Sequence, residues 1–232
     1  MPVSLNELTA ELNDLLKPEQ FNDYCPNGLQ VEGRKEVMKI VSGVTACRAL
    51  IKAAVVAKAD FILVHHGYFW KGEDQSITGL KKSRIQMLLQ NDLSLSAYHL
   101  PLDAHKELGN NAQLATILGL NIESPLDSQQ RNPIVFCGRL NQPMSFDNFS
   151  QHINQKLKRM PLGIKGASKK IEKIAWCTGA AQNFIELAVG VGVDAYLTGE
   201  VSEQTVHIAR EAGLHFFSAG HHATERYGVQ AV

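Results

Sequence analysis

The sequence predicts an α/β fold made of two related halves. Two observations carry this expectation. Short apolar or β-branched runs alternate with segments of helical periodicity, the pattern of a sheet covered by helices. One strand–helix–strand unit also occurs twice: Lys39–His66 can be laid over Lys173–Glu200 at an offset of 134 without a gap, with eight identities in 28 positions. The identities are Lys39/Lys173, Ile40/Ile174, Ala46/Ala180, Ile51/Ile185, Ala54/Ala188, Val55/Val189, Asp60/Asp194 and Leu63/Leu197. Parallel α/β units resemble one another in any case, but internal duplication accounts for both the identities and the recurrence of the next strand. Ser96-Ala97-Tyr98-His99 matches Ser218-Ala219-Gly220-His221 at an offset of 122, which places Asp103 opposite Glu225.

The elements follow in order. Ser4 and Glu7 have capping-box spacing ahead of an amphipathic helix whose apolar face is Leu5, Leu8, Leu12, Leu15 and Leu16. Lys39–Val44 reads as a strand, Thr45–Lys58 as a helix with Thr45 as N-cap, and Asp60–Val64 as a strand buried on both faces. Gly79–Gln90 reads as a helix, Leu93–Tyr98 as a strand, and Asn110–Leu118 as a helix closed by Gly119. Between the halves, Glu123–Glu172 contains four prolines and a basic stretch, with a strand at Ile134–Leu140 and a helix at Ser145–Leu157 capped by Ser145. The last strand is Leu214–Ala219, with a helix beginning near His222. A first domain of residues 1–122 with 206–232, carrying most of the candidate ligands, and a second domain or insertion of residues 123–205 are the expected division.

The chain has 232 residues with 23 basic and 23 acidic side chains, and 44% of it is hydrophobic. A chain of this length buries roughly 70% of its unfolded surface and needs no covalent staples. Zero net charge argues against bulk electrostatic coating of DNA or an anionic membrane. The best apolar stretch, Ala53–Val64, is interrupted by Lys58 and Asp60 and falls short of the ~18 residues that span a bilayer. The N-terminus lacks the basic start and apolar centre of a signal peptide. Cys25, Cys47, Cys137 and Cys177 are widely spaced without a C-x-x-C, so four reduced thiols in a cytoplasmic protein are expected.

Three strand ends carry the residues suited to chemistry, and ligands of α/β proteins gather at such ends. His65-His66-Gly67 follows the buried strand DFILV. In a regular strand the two rings would point to opposite faces, and a turn at Gly67 lets them converge. His99 and Asp103 follow the strand ending at Tyr98. Asp103 otherwise reads as a turn residue after Pro101. His221 and Glu225 lie four apart past the strand ending at Ala219, a spacing that puts both on one helix face. The set His65, His66, Asp103, His221 and Glu225 suits Zn, Fe, Mn, Co or Ni better than Mg or Ca. Five ligands exceed what one catalytic zinc takes, and two carboxylates able to bridge point to two divalent transition-metal ions.

These stretches resemble the Nif-three-like family, the GTP cyclohydrolase I type 2 homologues, in particular its bacterial YbgI branch. The matching segments are Pro26–Gly33, Val64–Glu73, Tyr98–Ala115, Ala175–Gly179, Thr198–Thr205 and Ala219–Ala231. The resemblance implies two interlinked α/β domains, three-layered with mixed sheets, and a dinuclear metal site. It implies a homohexameric toroid, a trimer of dimers, with the sites facing the inner cavity. Carried over, the family's metal ligands fall on the same five residues. The resemblance also implies a further helix and strand beyond the GVQA segment, past Val232.

Weaker candidates remain. Glu200 is the duplicate counterpart of His66, and is compatible with a general base or with the cap of the following helix. His99 could orient Asp103 or move protons. Tyr68, Phe69 and Trp70 could stack a heterocyclic substrate or simply pack. His222 reads as solvated and Cys177 as a core thiol. The expected activity is metal-dependent hydrolysis of a nucleotide, a damaged nucleotide, a pterin-like heterocycle or a phosphoester; no P-loop or dinucleotide fingerprint narrows the choice. The rival readings are a metallochaperone and a ring that encloses single-stranded nucleic acid. The second draws on Lys81, Lys82, Arg84, Lys156, Lys158, Arg159, Lys169 and Lys170.

Overall fold

A computed structural model describes residues 1–126 and 131–232. The chain divides into two compact units, Met1–Leu102 with Val232, and Asp103–Ala231. Among the described residues no helix is long and apolar enough to cross a membrane.

The first unit opens on a short strand β1 (Val3–Ser4) and helix α1 (Leu5–Leu16). The capping box forms as its spacing predicts: the Glu7 amide donates to Ser4 Oγ at 3.1 Å and the Ser4 amide to Glu7 Oε2 at 3.1 Å. Leu5, Leu12 and Leu16 are buried, whereas Leu15 stays exposed. Strands β2 (Gly28–Val31), β3 (Glu36–Val37) and β4 (Ile40–Thr45), helix α2 (Arg48–Val56), strand β5 (Phe61–His66), helix α3 (Gly79–Gln90) and strand β6 (Ser94–Ala97) follow. The sheet order is β2-β6-β5-β4; β4, β5 and β6 are parallel, and β2 runs antiparallel at the edge. Phe61, Ile62, Leu63 and Val64 are all buried, as a central strand covered on both faces must be. Thr45 is not the N-cap of α2; Cys47 is, without a side-chain hydrogen bond. Thr45 instead pairs with His66 as the last rung of the β4–β5 ladder, which holds it in extended backbone.

Helix α4 (Leu100–Ala104) leads into the second unit. There α5 (Asn110–Leu118) ends at Gly119 in the left-handed conformation, φ 68°, where a side chain is disfavoured. Strands β7 (Leu120–Pro125) and β8 (Phe136–Met144), helix α6 (Phe146–Leu157), and strands β9 (Leu162–Ile164) and β10 (Ile171–Trp176) come next. They are followed by α7 (Ile185–Gly190), β11 (Ala195–Thr198), α8 (Glu203–Glu211), β12 (His215–Ser218), α9 (His221–Thr224) and α10 (Gly228–Ala231). Ser145 caps α6 as expected, its Oγ accepting from the Asn148 amide at 3.2 Å. The sheet order is β7-β8-β10-β11-β12-β9, with β10, β11 and β12 parallel and the other pairings antiparallel. One core gathers Phe149, Ile153, Leu157, Trp176 and Phe217, and another gathers Ile185, Ala188, Tyr196, Ala209 and Phe216. Because β12 is hydrogen-bonded between β11 and β9, residues 206–231 belong with 123–205. The expected assignment of 206–231 to the first domain is corrected accordingly, as is that of 103–122.

The duplication is visible in the hydrogen bonds. Asp60 Oδ2 accepts from the amides of Met38 and Lys39, and Asp194 Oδ2 accepts from those of Glu172 and Lys173. Each carboxylate thus clamps the start of the preceding strand, and the two clamps are related by the offset of 134. Ile40 pairs with Phe61 as Ile174 pairs with Ala195, at the same offset. The next strand departs from the sequence match by one residue: Phe61 pairs with Ser94 and Ala195 with His215, so the offset there is 121. Backbone register, fixed by the ladder, overrides the local SA-H likeness.

Candidate metal-binding residues

In the first unit three imidazoles converge where β5 and β6 end. His65 is fully buried, and its Nδ1 donates to the Tyr98 carbonyl at 3.0 Å. A proton fixed at Nδ1 leaves the lone pair on Nε2. His66 meets Thr45 through Nδ1, 3.3 Å from the hydroxyl, so the residue that fails to cap α2 serves the site instead. His99 donates from Nδ1 to Asp23 Oδ1 at 2.7 Å. Asp23 is buried, which raises its pKa, but hydrogen bonds from His99, Asn27 and the Leu100 amide outweigh that cost and hold the carboxyl below its usual range. Ring centroids lie 4.4 Å apart for His65 and His66, 5.0 Å for His65 and His99, and 5.7 Å for His66 and His99.

The aromatic residues after the histidine pair separate into two roles. Tyr68 is 5% exposed, packs in the core of the first unit and donates its hydroxyl to the Ala46 carbonyl at 2.6 Å. That burial corrects the expectation that it faces a substrate. Trp70 is half-buried, with its ring 5.0 Å from His99 and 6.0 Å from His66, and its indole N–H donates to the Gly67 carbonyl at 3.2 Å. Phe69 between them holds φ 66°, a strained value for an aromatic residue, with the Lys81 ammonium 5.3 Å over its ring.

In the second unit the remaining ligand candidates gather around Glu225. Its carboxylate is buried, with Oε1 3.2 Å from His221 Nε2, and an oxygen of Asp103 lies within 4.8 Å of one of its own. His221 Nδ1 is 2.7 Å from Glu200 Oε1. Glu200 therefore orients His221; it does not cap α8, whose N-cap is Ser202. Asp103 is held through Oδ1, which accepts from Asn110 Nδ2 at 2.9 Å and from the Thr178 hydroxyl at 3.3 Å. Asn111 completes this support by accepting from the Thr178 amide at 3.0 Å and donating to the Asp103 carbonyl at 3.2 Å. Gly179 makes room for the cluster: its φ is +71°, and a Cβ there would collide with Glu225 Oε1 and stand 3.3 Å from His221 Nε2.

Asp23, Thr45, Asn110, Asn111, Thr178 and Gly179 do not stand out as site residues in the sequence. Their signal lies in the motif segments around Pro26–Gly33, Tyr98–Ala115 and Ala175–Gly179, which contain or adjoin all of them except Thr45. Three imidazole nitrogens in the first unit, and an imidazole with buried carboxylate oxygens in the second, are donors that fit a divalent transition-metal ion. Cys177 is a buried core thiol as read from sequence.

With its two carboxylate neighbours, His221 has its pKa pushed up to about 9, first by the Glu225 hydrogen bond, with burial opposing and Glu200 adding. A raised folded-state pKa contributes stability that is full below pH ~6.5, the unfolded value, and is lost as pH rises through about 9. Metal-free protein should therefore lose thermal stability between these pH values, and His221→Gln should flatten the change. Calorimetry across that range, with chelator present, is the check; parallel profiles for both proteins would contradict it.

A family model described as Duf34/NIF3 (NGG1p interacting factor 3) matches residues 3–232. A GTP cyclohydrolase 1 type 2 homolog of Pseudomonas aeruginosa is 56% identical over 232 residues, covering 100% of this chain and 92% of that relative. The homolog of the same name from Escherichia coli is 50% identical over 227 residues, covering 97% and 90%. Among solved structures, protein ybgI superposes with a TM-score of 0.94 at 50% identity, covering 99% of this chain and 91% of that one. TTHA1606 from Thermus thermophilus gives 0.88 at 35% identity, with 99% and 91% covered. With its mixed α/β sheets and a family match that spans nearly all of its length, the chain belongs to the Duf34/NIF3 family.

Proposed function

We propose that the chain holds two divalent transition-metal ions and acts as a metal-dependent hydrolase on a nucleotide or related heterocycle. His65 and His66 from the first unit and Asp103, His221 and Glu225 from the second are the assigned ligands. The observation that carries the reading is the polar support behind four of them: a carbonyl on His65, a hydroxyl on His66, Glu200 on His221, and Asn110 with Thr178 on Asp103. Polar partners of this kind fix the tautomer and orientation of metal ligands. When bound, such ions polarise a substrate oxygen and acidify water. The residues of the chain orient ligands, exclude solvent and move protons. Trp70 offers an aromatic face beside His99 and His66, and Asp23 holds the Nδ1 proton of His99, which makes Nε2 its basic atom. The names of the Pseudomonas and Escherichia relatives support a heterocyclic nucleotide as substrate class.

Elemental analysis of the purified full chain should give close to two ions, and His65→Ala, His221→Ala and Asp103→Ala should each lower that content. Unchanged content in all three would overturn the assignment. Turnover is screened on nucleotides, pterin precursors and phosphoesters after loading with Mn, Zn, Fe or Ni. Its complete absence would favour a metal-handling protein. Glu200→Gln should weaken metal binding by about 10- to 100-fold, the cost of losing an outer partner of a ligating histidine. An unaltered affinity, with turnover alone reduced, would make Glu200 a proton-transfer group rather than a positioning one.

A further inference from the structure

His99 lies outside the five assigned ligands, yet among the three imidazoles of the first unit it has the most elaborate anchor. Asp23 receives its Nδ1 proton at 2.7 Å. The other oxygen of that carboxylate accepts from Asn27 Nδ2 at 2.9 Å and from the Leu100 amide at 2.8 Å. Asn27 Oδ1 in turn accepts from the His99 amide at 2.7 Å. Ring and backbone of His99 are thus tied to one polar cluster, and Asp23 is buried within it. A carboxylate bound to one ring nitrogen is the usual partner of a histidine that ligates metal through the other.

Geometry agrees with the chemistry. One candidate ligand atom from each of His65, His66 and His99 lies within 4.8 Å of the other two. Around a tetrahedral ion with bonds of about 2.1 Å, neighbouring nitrogens stand about 3.4 Å apart. Closing from 4.8 Å requires a movement of about 1.4 Å at most, within reach of small side-chain rotations. We propose that His65, His66 and His99 form a three-nitrogen site that takes up one divalent transition-metal ion without any ligand from the second unit, with Asp23 as the residue that positions His99. The proposal rests on the reading of His65 and His66 as ligands and adds a third nitrogen to them. An all-imidazole set selects Zn, Cu, Co or Ni over Mg, Ca and Mn.

The test uses the full chain carrying Asp103→Asn, His221→Gln and Glu225→Gln together, titrated with Cu²⁺ and followed by nitrogen hyperfine splitting in electron paramagnetic resonance. One Cu²⁺ per chain with three coupled nitrogens is expected. Adding His99→Gln should leave two nitrogens and weaken binding at least 10-fold. Adding Asp23→Asn should keep three nitrogens and weaken binding by about 10- to 100-fold. Since three simultaneous changes could unfold the chain, the same signal is sought in wild-type protein at substoichiometric Cu²⁺, with His99→Gln as the sole change. A spectrum and affinity indifferent to His99→Gln would overturn the three-nitrogen site. If His65→Ala abolishes Cu²⁺ binding while His99→Gln does nothing, only this site falls. If His65→Ala is silent as well, the ligand assignment under the proposed function falls with it.

Discussion

Asn110→Ala is expected to destabilise the protein by about 2–6 kcal/mol and to deplete it of metal. The Asn110 side chain is fully buried and works at both ends: Nδ2 donates to Asp103 Oδ1 at 2.9 Å, and Oδ1 accepts from the Gly228 amide at 3.1 Å. Alanine deprives a buried carboxylate and a buried amide of a partner each, at about 1–3 kcal/mol per group. For a chain of this size each kcal/mol lowers the melting temperature by about 2–4 °C. Asn110→Asp is the sharper variant. It keeps the acceptor for Gly228 but turns a second carboxylate toward Asp103, so like charges meet in a buried place. Its penalty should shrink when divalent metal is added, whereas that of Asn110→Ala should not. Differential scanning calorimetry with chelator and with Zn²⁺ separates the two; equal metal response in both variants would contradict this role for Asn110.

Gly179→Ala should remove metal from the second unit while leaving the fold in place. The residue holds φ +71°, so any side chain adds about 1–3 kcal/mol of backbone strain. Its Cβ would also occupy the space of Glu225 Oε1 and press on His221 Nε2. Gly192→Ala provides the matched control, since Gly192 holds φ +63° with nothing within 4 Å of its Cβ position. Both variants carry the backbone strain, and only Gly179→Ala should lose metal in elemental analysis. Comparable metal content in the two would show that Glu225 and His221 tolerate displacement.

Much of this organisation is readable from local sequence. The Ser4 and Ser145 caps, the Gly119 helix end and the buried strand before the histidine pair depend on neighbours within a few residues, and all form as the spacing predicts. The duplication is readable because Asp60 and Asp194 keep the same task. What escapes depends on distant partners. Asp23 and His99 are 76 positions apart, and nothing near either one announces the other. Thr45 has a helix-capping composition around it, but the ladder to His66 overrides that preference. Residues 206–231 join the second unit against expectation because β12 pairs with β11 and with β9, a three-residue strand that carries no strong sequence signal. Tyr68 sits in a motif rich in candidate ligands, and only its burial separates it from Trp70.

The sequence contains two tryptophans, and their surroundings make them opposite kinds of optical probe. Trp176 is fully buried, stacked with Phe136 at 6.1 Å, and its indole N–H is bound to the Asn111 carbonyl. Trp70 lies edge-on to His99 at 5.0 Å. Fluorescence from Trp176 accordingly reports whether the second unit is folded, while Trp70 stands close enough to the imidazoles for a paramagnetic ion such as Cu²⁺ or Co²⁺ to quench it. In a Trp176→Phe background the loss of emission becomes a direct, label-free record of metal arriving at the histidines of the first unit, readable in stopped flow on the timescale of binding itself.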